Sequence, residues 1–89
     1  MLSIRDKSKF RKDYKKLKSA GKELGKLASI IDQLAGGQEL EPKHRDHILI
    51  GDYVGCRECH ITPDWLLIYK LTETELILMR TGSHSELFG

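Results

Sequence analysis

Arg57-Glu58-Cys59-His60-Ile61-Thr62-Pro63-Asp64-Trp65-Leu66-Leu67-Ile68-Tyr69 is the stretch on which the reading of this chain turns. Thr62-Pro63-Asp64 is turn chemistry, because proline presets one backbone angle and aspartate bonds readily to the backbone. The run from Val54 to Ile61 before it reads as a strand. Trp65 to Leu71 after it is apolar on both faces, as a covered central strand should be. Thr72-Glu73-Thr74 reads as a second turn. Leu76, Ile77, Leu78 and Met79 form a third strand that ends at Arg80 and is broken by Gly82. The stretch thus predicts a meander whose first turn is flanked by a histidine and an aspartate.

Upstream the periodicity changes from two to about 3.6. Leu2 and Ile4 suggest a short first strand. Ser8 is a candidate N-cap, Phe10, Tyr14 and Leu17 recur at helical spacing, and Gly21 stops the helix. A second helix is expected from about Lys22 to Ala35, with Leu24, Leu27, Ile31 and Leu34 as its stripe, Ala28 and Ile30 beside it, and Gly36-Gly37 as its end. Gln38 to Asp52 reads as a polar connection. Its triplet Ile48-Leu49-Ile50 should pin the loop to the body and hold His47, outside regular structure. Ser83 to Gly89 is a short tail. The expected fold class is α+β: an antiparallel sheet of about four strands, with an N-terminal αα-hairpin on one face, in the order β-α-α-β-β-β.

With 89 residues the chain has room for one domain and one core. Hydrophobic content of 39% and charged content of 31% fit a globular protein. No apolar run approaches a membrane span. Met1 to Phe10 lacks the apolar core of a signal peptide, so a cytoplasmic protein with reduced thiols is expected. The net charge of +2 is unevenly spread: residues 1–26 carry +7 and the remainder −5. A polyanion would meet the first third of the chain first, although a Lys-rich helix face is commonly just solvated.

Cys56-Arg57-Glu58-Cys59-His60 matches the short C-x-x-C-H pattern of haem attachment. In a strand, however, residues 56 and 59 point to opposite faces and cannot clasp one haem or chelate one zinc. Small buried thiols are the better reading, and no metal or other cofactor is expected.

Asp46-His47, the run from Arg57 to Leu71, and Arg80-Thr81-Gly82-Ser83-His84-Ser85-Glu86-Leu87-Phe88-Gly89 together resemble the YafQ branch of the RelE/ParE toxin superfamily. H-x-x-P-D-W, followed by a carboxy-terminal G-[ST]-H-x-x-L-F, is specific when both occur in so short a chain. The resemblance covers about half the chain. It implies a RelE-like fold, a type II toxin that cuts messenger RNA in the ribosomal A site, and a cognate antitoxin as partner.

Such cleavage uses the RNA's own 2′-hydroxyl. It needs a base for that proton, an acid for the leaving 5′-oxygen and positive charge on the phosphorane. Histidine suits both proton-transfer roles. The candidates are Asp64 as base, with His60 as its alternative, and His84 as acid, with His47 and His60 oriented on the scissile phosphate. Trp65, Arg80 and Phe88 are candidate substrate contacts, and Lys9, Arg11, Lys12, Lys15, Lys16 and Lys18 candidate contacts to ribosomal RNA. Each has an ordinary alternative: Asp64 as a turn former, Trp65 and Phe88 as packing, Arg80 as the partner of an acid on a neighbouring strand. A gyrase poison of the ParE type or a non-catalytic RNA-binding module are the competing functions. The former branch generally lacks this histidine set, and six aromatic residues leave few for a stacking platform.

Overall fold

The computed structural model describes residues 1–89. The elements run β1 (Ser3–Asp6), α1 (Ser8–Ser19), α2 (Leu24–Ala35), β2 (His47–Ile48), β3 (Arg57–Thr62), β4 (Trp65–Leu71), β5 (Glu75–Gly82) and α3 (His84–Phe88). One sheet in the order β1-β5-β4-β3-β2 joins all five strands.

Both helices end as their glycines dictate. The Gly21 amide bonds the Lys18 carbonyl and the Lys22 amide bonds that of Leu17; Gly37 and Gln38 repeat the pattern on Leu34 and Gln33. Gly21 and Gly37 sit at φ 75° and 76°, the left-handed conformation this ending needs. At the start of α1, Ser8 is already helical and Lys7 holds the cap position without a side-chain bond. Phe10 and Leu17 are buried, but Tyr14 is exposed on the flank of the stripe and tilts against Phe10. In α2 the buried line is Leu27, Ile30 and Leu34, with Leu24 and Ile31 partly covered.

The helix-side core unites these residues with Cys59, Ile61, Trp65, Leu67, Tyr69, Leu76 and Leu78. A smaller core on the opposite face joins Cys56, Leu66, Ile68 and Leu87, flanked by Leu49, Tyr53 and Met79. The two cysteines therefore lie on opposite faces. Burial pushes the Cys59 thiol up to about 12, aided by the charges of Asp46 and Glu58, which keeps it a protonated packing group.

The α+β class, the αα-hairpin and the element order match the sequence reading, while the sheet differs in detail. β1 pairs with β5 in parallel, since the hairpin returns the chain across the sheet before β5 is laid down. β2 is a fifth strand of two residues, antiparallel to β3, so His47 lies within regular structure. The triplet does not act as one pin. Ile48 and Ile50 are exposed, and only Leu49 reaches a core. Val54, expected in β3, is also exposed, and the strand begins at Arg57. No helix is long and apolar enough to cross a membrane.

One ion pair ties α1 to the sheet. Asp13 accepts from Arg80 Nε at 2.6 Å and Nη2 at 3.1 Å, and from the Thr81 amide at 3.1 Å. The bond to Asp13 holds the Arg80 guanidinium more firmly protonated than usual, against the cost of its burial. Removing one partner strands a charge in a half-buried place. Asp13→Ala should lower the unfolding free energy by about 2–3 kcal/mol, measured as a lowered midpoint in urea with an unchanged slope.

Candidate active site

β3 supplies the first part of the site by simple alternation. Cys59 and Ile61 enter the helix-side core, so Glu58 and His60 face the other side. β2 then brings His47 directly opposite Glu58. Nε2 of His47 lies 3.4 Å from Glu58 Oε1, and Nε2 of His60 lies 3.8 Å from the same oxygen. Glu58 is buried, whereas His47 is about half exposed and His60 largely covered.

Backbone carbonyls face the other ring nitrogens. Nδ1 of His47 is 2.6 Å from the Arg45 carbonyl, and Nδ1 of His60 is 3.3 Å from that of Pro63. A carbonyl only accepts, so each Nδ1 carries the hydrogen and each Nε2 is the atom left to exchange a proton. Facing a shared carboxylate, a proton gained at either Nε2 is met by negative charge. His44 buttresses this arrangement, its Nδ1 donating to the His60 carbonyl at 2.6 Å. A groove of 760 Å³ opens beside His60 and His44, walled by Lys26, Ser29 and Gln33 of α2.

β5 and α3 supply the second part. Glu58 is in register with Ile68, and Ile68 with Arg80; His60 is in register with Leu66, and Leu66 with Gly82. Two strand spacings separate these ends, roughly 10 Å of backbone. The chain leaves Gly82 into α3, which starts at His84. Leu87 docks on Leu66, Ile68 and Cys56 and fixes the helix to the sheet. The His84 ring lies 5.0 Å from that of Phe88, which meets Tyr53 edge-on at 5.9 Å. Tyr53 in turn lies near enough to Arg80 to favour the charged guanidinium. His84, Phe88, Tyr53 and Arg80 thus form one chain of contacts.

The sequence-predicted residues therefore separate into groups. His47 and His60 come together around Glu58, while His84, Arg80 and Phe88 come together on α3 and β5. Asp64 stands exposed at the β3–β4 turn with no side-chain hydrogen bond or ion pair. Trp65 does not line the site. It is 3% exposed in the helix-side core and donates to Thr81 Oγ1 at 2.9 Å, because alternation along β4 puts it on the same face as Leu67 and Tyr69. Arg80 does pair with an acid, on α1 and not on a neighbouring strand. The six basic residues of α1 are all exposed; Arg11 reaches Asp6 at 3.7 Å and Lys16 reaches Glu86 at 3.6 Å.

The family described as "Bacterial toxin of type II toxin-antitoxin system, YafQ" matches residues 2–89. The chain belongs to the YafQ toxin family. The "mRNA interferase toxin YafQ" of Escherichia coli strain K12 is 40% identical over 81 residues, which span 90% of this chain and 88% of that protein. The crystal structure of YafQ from E. coli strain BL21(DE3) aligns over the whole of both chains with a TM-score of 0.94 at 36% identity. The YafQ chain in the crystal structure of the E. coli DinJ-YafQ complex aligns equally completely, with a TM-score of 0.93 at 37% identity.

Glu58 was the residue that the sequence reading passed over in this YafQ family member. Its signal was available, because a strand places residue 58 on the same face as residue 60. α3 was likewise legible from Ser83 and Glu86, three residues apart. The Glu86 amide donates to Ser83 Oγ at 3.2 Å and the Ser83 amide to Glu86 Oε1 at 2.8 Å, a reciprocal capping box. The Ser83 amide holds the Glu86 carboxyl below its usual range. That stabilisation is complete above the unfolded value of about 4.5 and is lost as pH falls through the lower folded value. Ser83→Ala should weaken α3 by about 1 kcal/mol. The protection of the Leu87 and Gly89 amides against exchange, taken relative to an unstructured peptide at the same pH, should fall in that variant, and in the wild type as pH drops below this window.

Proposed function

We propose that this mRNA interferase toxin cuts ribosome-bound messenger in the cytoplasm by acid–base catalysis across the two halves of the site, and that a cognate antitoxin restrains it. The observation that supports this most is Glu58 lying between Nε2 of His47 and Nε2 of His60.

In this reading the 2′-hydroxyl gives its proton to the His47–Glu58–His60 group, His47 being the member open to substrate. The 2′-oxygen bonds to phosphorus and the phosphorus–O5′ bond breaks. His84 supplies the proton for O5′, leaving a 2′,3′-cyclic phosphate and a 5′-hydroxyl. Arg80 balances the charge that grows on the non-bridging oxygens, and Phe88 with Tyr53 offers an aromatic surface to a neighbouring base. Asp64, exposed and unpartnered, is given no proton to carry. Its expected role as base passes to the histidine pair, and Asp64→Asn should cleave at near the wild-type rate.

His47→Ala and His84→Ala should each reduce single-turnover cleavage on programmed ribosomes by roughly 10²–10⁴-fold. A near-normal rate for both would leave a binding module, and inhibition of DNA supercoiling by the intact chain would point to the gyrase-poisoning branch instead.

The exposed cations of α1 serve the ribosome in this reading, as phosphate contacts that release counterions. Replacing Lys9, Lys12, Lys15 and Lys18 with Gln should weaken ribosome binding and flatten its dependence on salt, without lowering the thermal midpoint. An unchanged salt slope would leave α1 merely solvated. The antitoxin is inferred from the family and from the DinJ partner of E. coli YafQ. Co-expression of such a partner should relieve the growth arrest that this chain causes alone.

A further inference from the structure

The segment that carries His47 has little to hold it by packing. β2 is two residues long, and the apolar side chains that follow, Ile48 and Ile50, are 67% and 88% exposed. Leu49 alone reaches a core, and the side chain next to His47 that is bonded into the sheet is Asp46. One carboxylate oxygen accepts from Arg57 Nε at 3.1 Å, and the other from the Tyr69 hydroxyl at 2.6 Å. Arg57 and Tyr69 are direct partners across β3 and β4. Tyr69 is fully buried in the helix-side core, so the clamp is bolted to the buried central strand of the sheet. Burial, and then the bond to Asp46, push the Tyr69 phenol well above its ordinary range, so it remains a donor. Burial works against the charge of the Arg57 guanidinium, and the neighbouring Tyr69 hydroxyl and Asp46 carboxylate outweigh it.

Asp46 lies between His47 and the residue whose carbonyl meets its ring. Arg45 is the one non-glycine residue in the left-handed region, at φ 45°, and its carbonyl meets Nδ1 of His47 at 2.6 Å. A non-glycine residue stays in that conformation only where its surroundings enforce it. With Asp46 held on the helix side of the sheet, the alternation of the backbone turns His47 to the opposite face, beside Glu58.

We infer that Asp46, clamped by Arg57 and Tyr69, is a positioning residue that fixes the His47 ring and its Nδ1–H tautomer, so that Nε2 is presented to substrate. This rests on the reading of His47 as part of the proton-accepting group. The device works across the sheet: a buried bond on one face sets the proton chemistry of a half-exposed ring on the other.

The test uses the intact chain carrying Tyr69→Phe, which deletes one hydroxyl and keeps the packing, alongside Asp46→Asn and His47→Ala. Single-turnover cleavage on programmed ribosomes gives the rate at saturation and the half-saturating concentration. Nitrogen-15 chemical shifts of the His47 ring report its tautomer in the free protein. Tyr69→Phe and Asp46→Asn should lose about 10–100-fold in rate, with half-saturation little changed, and the His47 ring should become a mixture of tautomers. Ala35→Gly, a helix substitution remote from the site, should lower the melting temperature without moving tautomer or rate. Should Asp46→Asn fail to fold, Tyr69→Phe alone decides. An unaltered tautomer and rate in Tyr69→Phe, with His47→Ala strongly impaired, would overturn the clamp and leave the catalytic reading standing. Normal cleavage by His47→Ala would overturn both.

Discussion

Everything in this molecule hangs on β4 being buried from both sides. Trp65, Leu67 and Tyr69 face the helices, Leu66 and Ile68 face the smaller core, and none is more than 3% exposed. At about 25 cal/mol per Å² of apolar surface withdrawn from water, a strand covered on both faces is the largest single block of hydrophobic stabilisation that so short a chain can assemble. The αα-hairpin supplies one cover. The other is made by α3 and the segment from Leu49 to Cys56, elements too short to stand alone. Those small covering pieces carry or flank the candidate catalytic groups, so burying the central strand also builds the site.

Polar groups that reach β4 are consequently satisfied within the protein. The indole of Trp65 donates to Thr81, whose hydroxyl donates to the Leu66 carbonyl at 2.8 Å, and Tyr69 donates to Asp46. No buried side-chain nitrogen or oxygen lacks a partner. A half-satisfied polar group here would cost more than its apolar substitute, and complete pairing lets these groups fix register where hydrophobic contacts alone would tolerate a slip. Asp13 does the same for α1 through Arg80 and the Thr81 amide.

The features legible in the sequence were those written in short-range periodicity. Trp65 to Leu71 announced a covered strand, Thr62-Pro63-Asp64 its turn, and the two glycine-terminated stripes their hairpin. The features that escaped depend on partners distant in sequence. β1 is exposed along its whole length, and its parallel union with β5 follows from where the hairpin delivers the chain. β2 exists only because β3 lies beside it. Trp65 was open to two readings until its partner Thr81, sixteen residues on, was in place. For the site, the histidines could be gathered by motif, but Glu58 between two of them required the β2–β3 register. The exposure of Asp64 required knowing that nothing packs over the turn.

The two faces of the sheet divide the work unequally. The helix face carries the larger core and the three interior anchors: Tyr69 for Asp46, Thr81 for Trp65 and the Asp13 pair for Arg80. The opposite face carries the candidate catalytic groups, and these are held at one remove. His47 is held through Asp46, His84 through the cap and Leu87 of α3, and Arg80 through Asp13. A side chain that must exchange protons cannot itself be buried and fully bonded without losing access, yet a free one would lose orientation. Placing its anchor on the far side of a rigid strand meets both demands. It also links α1, whose outward side is lined with cations, to Arg80 through one carboxylate, so the surface suited to polyanions and the guanidinium suited to a phosphorane are rigidly connected.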